Sequence, residues 1–269
     1  MIKAKEIQQK ARQDGVRDTQ IEKDYILSWI LWGIASHEAL SKCLVFKGGT
    51  ALKKIYFDDY RFSEDLDFTL PDPAISNEQL FAWFNEIFTY TRERANIPLS
   101  IQTNHEHLDR GLNFYIQYVG PLGGIGANKT VKVDISRNEQ LVFPPVEQQV
   151  IINYRDLEPH QLLCYSLEEV LVEKLRSVMQ RMQARDFYDI WYLTEEHGLQ
   201  VDFHYTEFCQ KCTLKELNPS DLPKKIAERM PQYKARWKSS MSDQIRDLPD
   251  FEKVVREVQK HLKNIPFGG

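Results

Sequence analysis

No apolar run in this chain approaches the ~20 residues that a membrane-spanning helix needs, and Met1-Ile-Lys-Ala-Lys leads into polar, helix-forming sequence instead of an apolar signal core. The expectation is a protein that neither spans a membrane nor is secreted. Only four cysteines occur, Cys43, Cys164, Cys209 and Cys212, scattered among apolar or helical positions. That excludes a disulfide scaffold and fits a reducing cytoplasm. Cys209-Gln-Lys-Cys212 has C-x-x-C spacing but no second pair and no thioredoxin-like strand beside it, and His204 is too isolated to complete a tetrahedral zinc site. It reads as coincidence on a helix. The seven histidines show no ligand spacing, and His105-x-His107 reads as a polar surface loop. A Ser-His-Asp or Cys-His arrangement is missing, as are repeats, low-complexity linkers and the Gly-x-x-x-x-Gly-Lys-Ser/Thr spacing of a Walker loop.

What is present is ordinary in bulk and specific in one place. The 269 residues are 42% hydrophobic and 28% charged, enough to bury one large core or two small ones. Charge is unevenly divided: from Lys211 onward there are 13 Lys plus Arg against 8 Asp plus Glu, a net of +5, and the preceding 210 residues carry −9. A solvated helical surface accounts for such a segment, and attraction to RNA phosphates accounts for it as well.

The informative stretch is Lys47 to Leu70. Phe62, Leu66, Phe68 and Leu70 share one parity and Ser63, Asp65, Asp67 and Thr69 the other, the alternation of a half-buried strand. Asp65 and Asp67 therefore point the same way. Two such carboxylates repel unless a cation neutralises them, and hard oxygen ligands suit Mg²⁺, which takes one or two carboxylates together with substrate phosphates. Upstream, Leu44-Val45-Phe46 reads as a short buried strand, Gly48-Gly49 as a sharp turn, and Thr50-Ala51-Leu52 as the start of a helix. Its N–H groups and dipole would face an anion.

Elsewhere, Thr19 to Ala35 reads as a buried helix and Asn77 to Arg94 as an amphipathic one. Strands are expected at Ile97–Thr103, Leu112–Val119 and Thr130–Ser136, with a glycine-rich turn at Pro121–Gly126. Mixed strands with flanking helices imply an α+β fold. Asp134 stands on the polar parity of Val131-Lys-Val-Asp-Ile, so it faces a cleft or solvent. From Ser166 onward the pattern is helical. In the helix predicted over Ser166 to Met182, Lys174 falls inside the apolar arc of Val170, Leu171, Leu175, Val178 and Met182, where either snorkelling or a phosphate-binding pocket would put it. In the next helix Asp186 lies on the side of Phe187, Ile190 and Trp191, with Asp189 at the edge of that arc.

These residues resemble the nucleotidyltransferase superfamily of DNA polymerase β-like fold, and within it the AbiEii/AbiGii-type toxins of abortive-infection and toxin–antitoxin systems. The resemblance is carried by Glu22-Lys23-Asp24-Tyr25, Gly48-Gly49-Thr50-Ala51-Leu52, Arg61-x-Ser63-x-Asp65-x-Asp67-Phe68, Glu168-Glu169 through Lys174-Leu175, and Arg185-Asp186-Phe187-Tyr188-Asp189. It ends near Leu193. It implies a mixed-sheet nucleotidyltransferase core over residues 1–165; composition and periodicity give the helical region over 166–269, expected to contribute to the active-site cleft. By the same resemblance, Asp65, Asp67 and Asp134 would hold two Mg²⁺ ions, and Gly48, Gly49, Thr50, Arg61 and Ser63 would bind the phosphates of an NTP. Lys174, with Asp186 or Asp189, would steady phosphate, base or acceptor. A tRNA 3′ end is the acceptor implied and an antitoxin protein the partner. Transfer to a protein or small molecule, and an inert interaction module of the same fold, are the rival readings.

Overall fold

The computed structural model describes residues 1–107, 111–124 and 129–265, the side chains of 103–107 excepted. The chain forms two compact units. The first comprises Met1–Glu139, Pro145–Cys164 and Gln244–Arg246, and the second comprises Gln140–Pro144, Tyr165–Asp243 and the chain from Asp247.

The first unit is built on a seven-stranded mixed sheet. Its strands are β1 (Val45–Lys47), β2 (Asp65–Thr69), β3 (Leu99–His107), β4 (Gly111–Tyr118), β5 (Thr130–Ser136), β6 (Val146–Gln149) and β7 (Gln161–Cys164), in the order β3-β4-β5-β2-β1-β7-β6. Pairing is antiparallel except for β2 with β5 and β1 with β7, which run parallel. Parallel neighbours need long crossovers, and the chain between β2 and β5 supplies one. Helices α1 (Ala4–Asp14), α2 (Asp18–Ser36), α3 (Glu38–Cys43), α4 (Gly48–Ala51) and α5 (Asn77–Ala95) belong to this unit. Helix α2 is apolar almost all round, and Ile21, Tyr25, Ile26, Leu27, Trp29, Ile30, Leu31 and Ile34 are all buried in it. They join Phe46, Leu66, Phe68, Phe114, Val131, Val133 and Ile135 in one core under one face of the sheet. Alternation does the sorting, since in β4 and β5 every second residue is buried.

In the second unit are α6 (Leu167–Gln180), α7 (Ala184–Trp191), α8 (Tyr205–Thr213), α9 (Leu222–Met241) and α10 (Phe251–Leu262). Ser166 caps α6, its hydroxyl accepting from the Glu169 N–H at 3.2 Å. Phe187 stacks on Tyr233 at 5.4 Å between ring centroids, and Trp237 meets Phe251 edge-on at 5.2 Å. Aromatic pairs of this kind anchor the helical core.

The fold is α+β, with helices following the sheet, as the sequence pattern predicts. Two local expectations need correction. Helix α6 stops at Gln180, and Met182 is exposed, so it takes no part in the apolar arc. His105 and His107 lie on β3, not in a loop. Strands β6 and β7 are not singled out by the sequence: each has four residues, and β6 has three exposed residues in a row. Gly126 of the glycine-rich turn lies outside the described residues. Among the described helices none is long and apolar enough to cross a membrane.

Candidate active site

The open face of the sheet in the first unit carries the acidic strands. Residues paired across neighbouring strands share a face, and the register of β2 with β5 sets Asp67 opposite Asp134 and Asp65 opposite Lys132. On the flanks, Lys47 of β1 stands opposite Asp67 and Asn113 of β4 opposite Asp134. Lys47, Asp67, Asp134 and Asn113 thus form one row across four strands. Asp65, Lys132 and Tyr115 form the next.

Charge within the rows is organised by lysines to which the motifs do not point. Lys132 Nζ lies 2.6 Å from Asp134 Oδ2. Burial works against that ammonium, yet the hydrogen bond and charge of Asp134, helped by Asp65, raise its pKa above the ordinary lysine value. Lys47 is nearly buried and donates to Ser136 Oγ at 3.2 Å. Both lysines have a sequence signal, because Lys132 shares Asp134's parity and Lys47 precedes the glycine turn.

The Gly48-Gly49 turn abuts the acidic row. Gly48 has φ +80°, a left-handed conformation that costs a residue with a side chain, and a Cβ there would stand 2.6 Å from Asp67 Oδ2. Beside it, a Cβ on Gly49 would collide with the Arg61 guanidinium. Helix α4 starts at Gly48 and continues as a π-turn over Leu52–Tyr56. Its first turn is tied to β2 by Thr50, whose hydroxyl donates to the Asp65 carbonyl. Arg61 is buried, with Nη1 donating to Gln244 Oε1 at 3.2 Å, and Ser63 is buried just ahead of β2. Gly48, Gly49, Thr50, Arg61, Ser63, Asp65, Asp67 and Asp134 therefore all belong to β2, its partner β5, or the segments abutting β2.

Among the described residues no group of three or more His, Cys, Asp or Glu stands close enough to cage a metal ion by itself. The donor set nevertheless fits a hard cation shared with a ligand: Asp67 and Asp134 offer carboxylate oxygens from adjacent strands, and Mg²⁺ needs only one or two protein carboxylates when phosphates and water complete its shell. Asp67 and Asp134, with Asp65 in the next row, are the residues that would hold it.

The remaining sequence candidates lie in the second unit and form a cluster of their own. Lys174 of α6 is 6% exposed and sits between two carboxylates of α7, 2.7 Å from Asp186 Oδ1 and 2.6 Å from Asp189 Oδ2. Asp186 also takes Arg181, with Nε at 2.6 Å from Oδ2 and Nη2 at 3.0 Å from Oδ1. Burial would push the Asp186 pKa up, but the charges of Lys174 and Arg181 outweigh it and hold the carboxyl below its usual range. Asp189 is as central as Asp186, not at the edge of the arc, since it is fully buried against Lys174. Nothing in the sequence pattern singles out Arg181. On another side of α6, Glu169 accepts from the Val142 and Phe143 N–H groups and pairs with Lys211 at 2.6 Å, both side chains buried.

The C-x-x-C pair is unremarkable in place. Cys212 is buried beside Met179, burial pushes its thiol up to about 12, and all four cysteines are free.

The chain matches the family described as nucleotidyl transferase AbiEii toxin of type IV toxin–antitoxin systems over residues 29–257. Among solved structures it resembles MenT4, a nucleotidyltransferase toxin from Mycobacterium tuberculosis, at 18% identity over 98% of this chain and 91% of that one, with a TM-score of 0.64. JHP933 from Helicobacter pylori is similar at 17% identity over 92% of each chain, with a TM-score of 0.60. At such identities the likeness to these structures concerns the fold. No curated protein sequence matches. The family match spans most of the chain and agrees with a mixed sheet bearing a glycine turn and paired aspartates, so this protein belongs to the AbiEii nucleotidyltransferase toxin family.

Proposed function

We propose that this nucleotidyltransferase is a Mg²⁺-dependent enzyme that moves a nucleoside monophosphate from an NTP to the 3′-terminal hydroxyl of a tRNA, and that it works in the cytoplasm. Family membership implies an NTP substrate and an antitoxin partner. The observation that carries the reading is the pairing of Asp67 with Asp134 across parallel strands, with Gly48 packed against the Asp67 carboxylate.

A bound divalent cation would neutralise the carboxylates and draw charge from the phosphates. Asp65, Asp67 and Asp134, on one face of the sheet, are the residues that would hold it. Gly48, Gly49 and Thr50 offer backbone N–H groups to the phosphates. Arg61, beside Gly49, and Ser63 are the further proposed phosphate ligands. Lys132 keeps the Asp134 carboxylate oriented. The acceptor oxygen attacks the α-phosphorus as its proton passes to a carboxylate, the α–β phosphoanhydride bond breaks, and pyrophosphate leaves. Lys174 is a further proposed phosphate ligand. Asp186 has Arg181 as a second cation, so it stays balanced when Lys174 turns to a phosphate. Asp189 orients the ammonium.

Incubation with labelled NTPs, Mg²⁺ and total RNA or protein extract tests the reading. Label is expected in the tRNA fraction, on the 3′ end, and to vanish with chelator. Label confined to protein or small molecules refutes the RNA acceptor.

A further inference from the structure

The two rows on the open face of the sheet set three carboxylates, Asp65, Asp67 and Asp134, among two ammoniums, Lys47 and Lys132. Their charges sum to −1. The Arg61 guanidinium, beside Gly49 at the adjoining turn, makes cations and carboxylates equal in number. Such a balance is poor for collecting a bare divalent cation, and among the described residues no three His, Cys, Asp or Glu side chains stand close enough to do so. It suits a cation that arrives with phosphates, because Mg²⁺ held by one or two protein carboxylates takes its remaining oxygens from substrate and water.

Lys132 is the residue that sets this balance. It stands opposite Asp65 in the ladder, and its Nζ reaches along β5 to lie 2.6 Å from Asp134 Oδ2. One ammonium thus engages one oxygen of Asp134 and places its charge near Asp65, among the side chains that would hold the cation. Both partners are part-exposed, 35% for the Lys132 side chain and 27% for that of Asp134, so metal and nucleotide can reach the pair. Lys47, by contrast, is nearly buried and is held on Ser136 Oγ at 3.2 Å.

A charge in this place acts with opposite sign on two ligands. A dication approaching Asp134 or Asp65 alone is repelled by the ammonium, whereas the phosphates of an NTP are attracted by it. We propose that Lys132 keeps a free divalent cation off the acidic rows and admits it together with the nucleotide, so that the species bound is the metal–NTP complex. The proposal rests on the reading of Mg²⁺-dependent use of an NTP. By linkage the coupling is reciprocal: nucleotide tightens the cation by the same factor as the cation tightens nucleotide. A lysine that only oriented Asp134 has the reverse signature, since its loss would leave the carboxylate misplaced and weaken metal binding.

Binding of Mn²⁺ to the full chain, followed by electron paramagnetic resonance of the free ion with and without the α,β-methylene analogues of ATP, CTP, GTP and UTP, is the direct test. These analogues cannot give up a nucleoside monophosphate, so binding is read without transfer. Wild type binds Mn²⁺ weakly alone, and about tenfold or more tightly with at least one analogue. Lys132→Gln keeps a donor for Asp134 and loses the charge, and Lys132→Met loses both. Each variant binds Mn²⁺ alone about tenfold more tightly than wild type, the order expected for removing one nearby charge at water-like screening, and gains less from the analogue. Mn²⁺ binding by either variant that is unchanged or weaker, or wild-type binding that no analogue tightens, overturns the proposal and leaves the metal reading standing. No Mn²⁺ binding by any of the three proteins, even with every analogue, overturns the metal reading and the proposal with it.

Discussion

Asp67 of β2 stands directly opposite Asp134 of β5, on parallel strands whose side chains at these positions share the open face of the sheet. Carboxylates in adjacent ladder positions repel, and like charges directly opposite destabilise a sheet. The Lys132 ammonium on Asp134 offsets part of that repulsion. Lys47 stands opposite Asp67 in the same row, and a divalent cation would add to the compensation that the two lysines begin.

Asp65→Asn and Asp67→Asn are accordingly expected to abolish nucleotidyl transfer and leave the fold intact, with thermal stability in chelator unchanged or raised. Circular dichroism melts beside a labelled-NTP assay check both halves. Near-wild-type transfer by either variant removes that residue from the metal site.

Gly48→Ala tests the turn. The left-handed φ costs about 1–2 kcal/mol for a residue with a Cβ, and that Cβ would stand 2.6 Å from Asp67 Oδ2. Chemical denaturation should show a loss of at least this size, and transfer should fall further than stability because the Asp67 carboxylate is displaced. A variant with wild-type kcat and KM for NTP contradicts the proposed approach of phosphate to the turn.

Lys174→Met has a different expected outcome from the one an apolar arc suggests. As a lysine snorkelling from a stripe, it would be replaced at little cost. In place, its removal takes the ammonium from buried Asp189 and leaves Asp186 with Arg181 alone, a defect that costs on the order of 3–5 kcal/mol. Adding Asp189→Asn to Lys174→Met should recover part of the stability and none of the activity. If the double variant regains transfer, Lys174 is structural.

The same cluster sets an acid limit. The folded Asp186 pKa is depressed below its usual 3.8, so the unfolded state takes up this proton first as pH falls. Its contribution is therefore complete above the ordinary aspartate pKa and is lost as pH drops below it toward the folded value. Denaturation midpoints between pH 6 and pH 2 should fall less steeply for Asp186→Asn than for wild type.

For RNA binding, the basic C-terminal segment should show itself in salt dependence. Every cation withdrawn from a phosphate flattens the slope of log affinity against log salt by roughly one unit. Lys234 is already paired with Glu252 at 2.6 Å. Neutralising Arg236 and Lys238 should thus flatten the slope more than neutralising Lys234, with NTP binding unchanged. Identical titrations for wild type and a variant with Lys234, Arg236 and Lys238 all neutralised exclude this segment as the RNA surface.

Period-two alternation is a local property, so residues 62–70 and 130–136 by themselves determine that Asp65 and Asp67 share a face and that Asp134 is not buried in the core. The glycine turn is local in the same way: a strand, two glycines and helix-forming residues leave few other conformations. Partners and register are not local. That Asp67 meets Asp134, that Lys132 holds it, and that Lys174 lies between Asp186 and Asp189 depend on long-range strand pairing and helix packing. No periodicity encodes these, because a one-residue slip would keep the alternation and change every neighbour. The short β6 and β7 are hidden for a related reason: four residues carry too little pattern, and their strand conformation comes from the sheet that recruits them. The sequence alone determines which side chains are presented. Tertiary structure decides which of them meet.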